Sequence, residues 1–464
     1  MKRFPGILVA VATLMTVAPA MARSDPAATS VVQTLGPIDA ANAQAAAGDT
    51  AAAIDASIAA ASALLSADKI DEAATVVETA TALAETTYGP SAPELITPLG
   101  ALARLRQAQG RYPDALLLLD RALAIGAAAP ADPVREAQLR YDQAKAYDAL
   151  GRNEEAETAA WASYDLRRVH LGQVQEKTAD ALNLYANALS AQGRHAEADP
   201  AYRQVLGMYE VLHGPKDFHL AIVLSNLGNS LRRTGRGRQA NPLYRRAVSV
   251  AEVSGDKVLL AQCLTNYGWY LHTQGDGKKS EIQFRRALAL AIEVAGPEHP
   301  FTGVVHANIG YALADQGKYA EAEPEFAIGV TLLEAGLGAD SPDIVDGISG
   351  KAINLAALNR PDEAEALFLH IRAITTARLS PNHADRLDQS DRFAAFLLSR
   401  DRSDEALDEL RGSLSALIGQ ETGVAAGGDV LGRDWRTSVH GAGPLFKRRV
   451  EASWRLAAFE APPS

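Results

Sequence analysis

The sequence predicts an all-α protein, a solenoid of about nine antiparallel helix hairpins with a helical cap at each end. Three observations predict this fold. Alanine, the strongest helix former, recurs throughout the 464 residues. One pattern of small and apolar residues returns about every 42 residues, which is the signature of a repeat array. Runs of β-branched residues between turn residues, which would indicate strands, are missing.

The turn of each hairpin is marked by a residue that tolerates a left-handed backbone. Residues 109–115, 192–198 and 316–322 are near copies of one phrase, Gln-Gly followed by a basic residue and ending in alanine. Glycine, asparagine and aspartate adopt the left-handed backbone readily, so each of these turn residues should separate two helices. The nine turn residues, spaced 40 to 42 residues apart, are Asp68, Gly110, Gly151, Gly193, Gly235, Gly275, Gly317, Asn359 and Asp401.

Two positions around each turn residue are always small. The residue seven before it is alanine or glycine in every hairpin, and the residue five after it is alanine or serine. A larger side chain would overpack two closely approaching helices, at a cost of about 1–3 kcal/mol. The small residues before the turns are Ala61, Ala103, Ala144, Ala186, Gly228, Gly268, Gly310, Ala352 and Ala394. Those after the turns are Ala73, Ala115, Ala156, Ala198, Ala240, Ser280, Ala322, Ala364 and Ala406.

Larger apolar residues complete the core stripe of each hairpin. Leucine often stands four residues before the turn residue, which gives the i, i+3, i+4 spacing of an amphipathic helix. In five successive hairpins an aromatic residue stands nine after it: Tyr202, Tyr244, Phe284, Phe326 and Phe368. Glycine, in places followed by proline, predicts the end of the second helix. These end signals are Gly89, Gly172, Gly214, Gly296 and Gly338.

The repeat resembles the tetratricopeptide repeat family, in the 42-residue variant found in kinesin light chains. Residues 266–271, Asn-Tyr-Gly-Trp-Tyr-Leu, are similar to that variant's first-helix signature, and residues 198–204 are similar to its second-helix signature. The resemblance implies a right-handed α-solenoid. It covers residues 51–418 and is sharpest from 177 to 380. Arg106 and Arg140 in the outer hairpins stand where leucine is usual, as in atypical terminal repeats.

The first 22 residues have the pattern of a cleavable signal peptide. Basic residues at positions 2 and 3 precede a mostly apolar stretch, and Ala20-Met21-Ala22 fits the cleavage rule. A membrane span would need about 20 apolar residues, which is more than this stretch provides. We therefore expect cleavage after Ala22, a periplasmic or secreted mature protein and no membrane-spanning segment. Residues 23–50 should form a flexible start and an N-terminal capping helix.

Residues 419–464 should form a linker followed by a last helix. Thr422 to Gly432 is glycine-rich, and a helical pattern runs from about Pro444 to Phe459. Three interpretations of this helix stay open: a cap on the last repeat, a docking helix for a partner, or a helix on a membrane surface. As a docking helix it could also serve self-association.

Nothing in the sequence indicates catalysis, a metal or a cofactor. The net charge of −11 excludes a general nucleic-acid binder, because such binding needs a basic surface. The single cysteine, Cys263, lies beside a core position and should be a buried thiol. The ten histidines form no compact ligand motif. We expect a protein that is not an enzyme and has no cofactor.

Polar and aromatic residues flank the apolar stripe of several first helices and form the candidate binding site. In the resembled family this face is the concave groove, where asparagines bind the backbone of an extended peptide. An amide offers the donor and the acceptor that a peptide unit requires, and aromatic rings add contact area. Alternatively, these asparagines bond only to neighbouring loops. The candidate residues are Asn187, Asn226, Asn229, Arg233, Asn266, Trp269, Asn308 and Tyr311.

A basic island lies beside these residues and leaves the chemistry of the ligand open. It either favours an acidic peptide or carboxylate or forms a solvated edge. The sequence thus predicts a scaffold that binds a peptide or protein partner in its groove. The alternatives are an assembly component acting through its ends or convex face, and a hydrolase whose site forms only in the fold. The island consists of Arg232, Arg233, Arg236, Arg238, Arg245 and Arg246.

Overall fold

The structure is a computed structural model that describes residues 49–67, 69–379 and 383–411, together with Arg448. Within these residues all regular structure is helical, which confirms the predicted all-α repeat fold. The signal peptide, the N-terminal cap and most of the C-terminal segment lie outside the described residues. Among the described residues, no helix is both long enough and apolar enough to cross a membrane.

The helices form two compact units, one ending at residue 256 and the other starting at residue 257 and including Arg448. The first unit holds α1 (Thr50–Ser66), α2 (Ile70–Tyr88), α3 (Ile96–Ala108), α4 (Tyr112–Ala128), α5 (Pro133–Ala149), α6 (Asn153–His170), α7 (Glu176–Ala191), α8 (His195–His213), α9 (His219–Arg233) and α10 (Gly237–Ser254). The second holds α11 (Lys257–Thr273), α12 (Gly277–Ala295), α13 (Pro300–Asp315), α14 (Tyr319–Leu337), α15 (Val345–Ala357), α16 (Pro361–Arg378) and α17 (Ala384–Ser399), followed by helical residues 403–411. Odd-numbered helices are the first helices of hairpins, and even-numbered helices and residues 403–411 are the second helices.

The turn residues adopt the left-handed backbone that their chemistry predicts. The six glycines from Gly110 to Gly317 have φ between 68° and 77°, and Asn359 and Asp401 have φ of 61° and 60°. The next residue's N–H closes the end of the first helix: Arg194 N donates to Leu189 O at 2.9 Å and Arg236 N to Leu231 O at 2.8 Å. This is the six-to-one bond of a helix-terminating Schellman motif. Asp68 lies outside the described residues.

The small positions are buried where the two helices of a hairpin meet. Ala103, Ala144 and Ala186 before the turns, and Ala115 and Ala198 after them, are fully buried. Where glycine replaces alanine, an aromatic ring of the second helix fills the space. A Cβ atom built on Gly228, Gly268 or Gly310 would lie 2.9, 2.5 or 2.9 Å from the ring of Tyr244, Phe284 or Phe326, respectively. Glycine is therefore required by the ring it faces.

A ladder of ion pairs joins successive hairpins within each unit. The residue directly after the turn is basic in most hairpins, and it binds acids of its own and of the preceding hairpin. Arg194 Nη1 lies 2.5 Å from Glu157 Oε2 of the preceding hairpin, and its Nη2 lies 2.9 Å from Glu197 Oε2 of its own. Arg402 repeats this arrangement, with Glu365 and Glu405 at 2.6 and 2.5 Å. Arg236–Asp199 and Arg360–Glu323 are equivalent links between hairpins.

Candidate partner-binding face

Neighbouring first helices meet along a seam of specific side-chain pairs. The residue six before the turn in one hairpin faces the residue nine before the turn in the next. In α7 and α9, Asn226 Nδ2 donates to Asn187 Oδ1 at 3.1 Å. In α3 and α5, Arg104 Nη1 lies 3.3 Å from Asp142 Oδ2 at the same two positions. We call this contact line the first-helix seam. The asparagine series of the sequence lies on it or beside it.

The identity of the residue six before the turn follows the aromatic residue of the second helix. Tyr202 Oη donates to Asn187 Oδ1 at 2.8 Å, and Tyr244 Oη donates to Asn229 Oδ1 at 2.5 Å. Each amide therefore satisfies a phenol that is buried in the hairpin.

In the second unit the aromatic residue is phenylalanine, which has no hydroxyl. The residue six before the turn is then itself aromatic. Trp269 packs edge-on against Phe284 with ring centroids 6.1 Å apart, and Tyr311 packs edge-on against Phe326 at 5.2 Å. Edge-to-face pairs of this kind are favourable beyond the area they bury. Asn187, Asn229, Trp269 and Tyr311 thus all have internal partners, which reasoning from the sequence did not identify.

Exposure divides the candidate residues into two groups. Trp269, Asn308 and Tyr311 are buried, with 5%, 3% and 8% of their surface exposed. The hydroxyl of Tyr311 donates to the backbone oxygen of Asp346 at 2.7 Å. The Nδ2 atom of Asn308 is buried and has no acceptor among the described residues. The second group comprises Asn187, Asn226, Asn229 and Asn266, which are half-buried, and Arg233, which is exposed.

The candidate residues belong to both units. Asn187, Asn226, Asn229 and Arg233 lie in the first, and Asn266, Trp269, Asn308 and Tyr311 lie in the second. Within the second unit, Trp269 and Tyr311 are brought together, with ring centroids 5.4 Å apart.

A basic surface borders the seam in the first unit. Burial, with the charges of Arg233 and Arg232, lowers the pKa of His195 to about 4. The imidazole is therefore neutral at pH 7, and its Nδ1 lies 3.1 Å from Ser190 Oγ. Other members of the basic island are neutralised within the fold. Arg236 pairs with Asp199 and Arg246 with Glu210, both at 2.6 Å.

The seam of the second unit holds a charged cluster that the sequence analysis did not identify. Arg392, nine residues before Asp401, is buried, and its Nε donates to Asp388 Oδ2 at 2.7 Å. Gln389 Nε2 donates to Asp346 Oδ1 at 3.2 Å. Burial raises the pKa of Asp346 to about 7; the charge of Asp388 adds to this rise and that of Arg392 opposes it. The repeat register was the signal that could have found Arg392, because it places an arginine on the seam.

The described histidines and acids pair in twos. His272 Nδ1 lies 2.5 Å from Asp315 Oδ2, and His306 Nδ1 lies 2.6 Å from Glu325 Oε2. No group of three or more His, Cys, Asp or Glu side chains in the described parts of the chain is arranged to hold a metal ion. Cys263 is buried, as predicted.

Comparisons with solved structures return helical repeat proteins. The apo form of RapI aligns with a TM-score of 0.58 and 12% identity, over 80% of this chain and 99% of RapI. The apo quorum sensor NprR from B. thuringiensis gives 0.55 and 15%, over 70% of this chain and 88% of NprR. BtubC from P. vanneervenii is 22% identical over 52% of this chain and 92% of its own, with a TM-score of 0.40. At these identities the likeness concerns the fold alone.

The family comparison agrees with the repeat register. A tetratricopeptide repeat model matches residues 53–128, 177–252, 219–291 and 271–327. No curated protein sequence matches the chain significantly. The matched segments contain hairpins with the left-handed turns and buried small residues described above. The chain belongs to the tetratricopeptide repeat family.

Proposed function

We propose that this protein is a non-enzymatic scaffold that binds a peptide or a protein segment in a concave groove along its first helices. The observation that carries the proposal is the first-helix seam, on which amides recur at fixed positions in successive hairpins. Asn226 and Asn266 keep part of their surface exposed on it, and the guanidinium of Arg233 lies beside them in full contact with solvent. We further propose that the protein acts in the periplasm or outside the cell, after removal of residues 1–22.

The chemistry of the exposed groups favours an extended ligand. Each amide presents a donor and an acceptor, which match the N–H and C=O groups of a peptide backbone. Asn226 uses its Nδ2 donor for Asn187, so its orientation is fixed before a ligand arrives. A preorganised side chain loses less conformational entropy on binding.

Two fold relatives support ligand binding on such a scaffold. NprR is described as a quorum sensor, and a Rap protein has been solved in complex with Competence and Sporulation Factor, with a TM-score of 0.50 to this chain. Both were compared through the fold alone, so they support the class of function and not the ligand.

A second candidate function is an assembly role through the convex face, and one observation favours it. Valines stand 18 residues after the turn in three successive hairpins of the first unit. Val169, Val211 and Val253 are 60%, 76% and 60% exposed. Exposed apolar residues repeated at one position are a plausible contact surface for another protein.

The test compares in-cell cross-linking of the wild type with two triple variants. The groove variant is Asn226→Ala with Asn266→Ala and Arg233→Ala, which removes half-buried or exposed groups and leaves the buried Asn308 in place. The matched control is Val169→Ser with Val211→Ser and Val253→Ser on the second helices. Partners are identified by mass spectrometry after recovery from the native compartment.

We expect a cross-linked partner that disappears in the groove variant and persists in the valine variant. The reverse pattern would overturn the groove proposal and support the assembly role. Circular dichroism of both purified variants checks that each retains wild-type helicity, so that a lost partner reports a lost contact.

A further inference from the structure

Each first helix presents one face to the first helix of the next hairpin. Three pairs of positions define this contact in the described residues. Asp346, 13 before its turn, accepts from Gln389, 12 before the next turn. Ser349, ten before its turn, accepts from Arg392 Nη1 at 3.4 Å, nine before the next turn. Asn187, six before its turn, accepts from Asn226, nine before the next. Positions 13, ten and six before a turn therefore face forward along the array.

The last described first helix, α17, carries acidic groups at two of these forward positions. They are Asp388, 13 before Asp401, and Asp391, ten before it. Asp388 is matched within α17 by Arg392 at 2.7 Å. Asp391 is mostly covered, with 15% of its side chain exposed. A carboxylate covered to this degree requires a cation or hydrogen-bond donors.

The cation comes from a residue 57 positions further along the chain. Arg448 Nε lies 2.6 Å from Asp391 Oδ1, and its Nη2 lies 2.9 Å from Oδ2. The pair is bidentate, the strongest geometry between these groups, and 24% of the Arg448 side chain is exposed. Residue 448 is helical.

Arg448 occupies the place of a repeat residue. Asp391 has the position that Ser349 has one hairpin earlier, and the partner of Ser349 is Arg392, also an arginine. Arg448 therefore stands where the residue nine before the turn of a further hairpin would stand. It follows Arg392 by 448 − 392 = 56 residues instead of the usual 42, so the intervening segment is 14 residues longer than the repeat period allows.

We propose that the segment carrying Arg448 caps the array in place of a tenth first helix, and that the Arg448–Asp391 pair fixes its register on α17. The occupant of this surface is thus the chain's own C-terminal segment. Such a cap covers the forward face of the last first helix, which in every earlier hairpin of the unit is covered by the next one. Solenoids require a closing element of this kind for solubility.

The experiment measures amide hydrogen exchange in α17, in the full-length protein without residues 1–22. The variants are Arg448→Glu, Asp391→Arg, and the charge swap Asp391→Arg with Arg448→Asp. The matched control is the exposed pair Arg411–Asp408, 2.7 Å apart in helical residues 403–411, changed by the equivalent swap. Both swaps keep the net charge of the protein.

We expect exchange in residues 384–399 to rise at least tenfold in Arg448→Glu and to return to within threefold of wild type in the charge swap at 391 and 448. The control swap at 408 and 411 should leave it unchanged. Unchanged exchange in Arg448→Glu would overturn the proposal, because the cap would then not depend on this pair.

A second measurement separates the chain's own segment from that of another copy. Sedimentation velocity of the wild type over a hundredfold range of concentration should give one sedimentation coefficient. A dimer that dissociates in Arg448→Glu would overturn the intramolecular cap, since Arg448 would then bind Asp391 of a second molecule.

Discussion

The hydroxyl of Tyr202 donates a hydrogen bond to Asn187 Oδ1 at 2.8 Å, from the second helix of a hairpin to its first. The same oxygen accepts from Asn226 of the next hairpin at 3.1 Å. Asn187 therefore links the inside of one hairpin to its neighbour. This dual contact makes the asparagine a structural residue as well as a candidate for ligand binding.

We expect Asn187→Ala to destabilise the protein more than Tyr202→Phe does. The alanine variant leaves the hydroxyl of Tyr202 buried without an acceptor, at a cost of about 1–3 kcal/mol. Tyr202→Phe removes the donor but leaves Asn187 bonded to Asn226, for a loss of about 1 kcal/mol. Urea unfolding of both single variants and of the double variant measures the coupling. Additive effects would show that the hydrogen bond contributes nothing.

Gly268→Ala should destabilise the second unit by about 1–3 kcal/mol, because the new Cβ would lie 2.5 Å from the ring of Phe284. Gly207 in α8 is the matched control, since nothing lies within 4 Å of a Cβ built there. Gly207→Ala should raise stability by about 0.5–1 kcal/mol through the higher helix propensity of alanine. Thermal unfolding of the two variants should shift in opposite directions. A shift of the same sign would contradict the close-packing explanation.

The stability of the second unit should fall as pH rises toward 7. Burial raises the pKa of Asp346 to about 7 in the folded protein, from the model value of 3.8. The folded state thus holds a proton between these values that the unfolded state releases, so stability is highest below pH 4 and decreases up to about pH 7.

Asp346→Asn should remove this decrease. The variant should match the wild type near pH 4 and exceed it at pH 8 by on the order of 1–4 kcal/mol. Asp408→Asn is the control, because 73% of the Asp408 side chain is exposed. Denaturant unfolding at half-unit pH steps makes the comparison. A variant less stable than the wild type at pH 8 would refute the assignment of the proton to Asp346.

The N-terminal residues make a separate prediction about location. Protein recovered from the native host should begin at Arg23, because the signal peptide should be cleaved after Ala22. Ala20→Arg with Ala22→Arg should block cleavage and leave the longer chain. Edman sequencing of the purified protein gives the answer. An intact Met1 in wild-type protein from the native host would exclude the proposed export.

The sequence permitted detailed prediction where backbone conformation and volume decide. A left-handed turn accepts few residue types, so Gly110 and Asn359 could be located without a structure. A close helix contact accepts only small residues, so Ala103 and Ala115 could be assigned to the core. Both constraints act within one hairpin and repeat with its period.

Side-chain exposure on the seam could not be predicted in the same way. It depends on the neighbouring hairpin as well as on the residue itself. Asn226 and Asn308 occupy the same position, yet Asn226 is half-buried and Asn308 is 3% exposed. The residue six before the turn in the preceding hairpin is the short Asn187 in one case and the large Trp269 in the other. Asp346 was missed because its environment arises from α15 and α17 together.

The ion-pair ladder has a consequence for the evolution of the array. Arg194 and Arg402 sit at the same position of different hairpins, and so do their acceptors Glu157 and Glu365 in the hairpins before them. Each hairpin thus carries a donor for its predecessor and an acceptor for its successor. A gene duplication that copies one period copies both halves of the joint, so a new hairpin fits its neighbours without further mutation. The ladder therefore permits the array to lengthen or shorten by whole hairpins while the contacts between them are preserved.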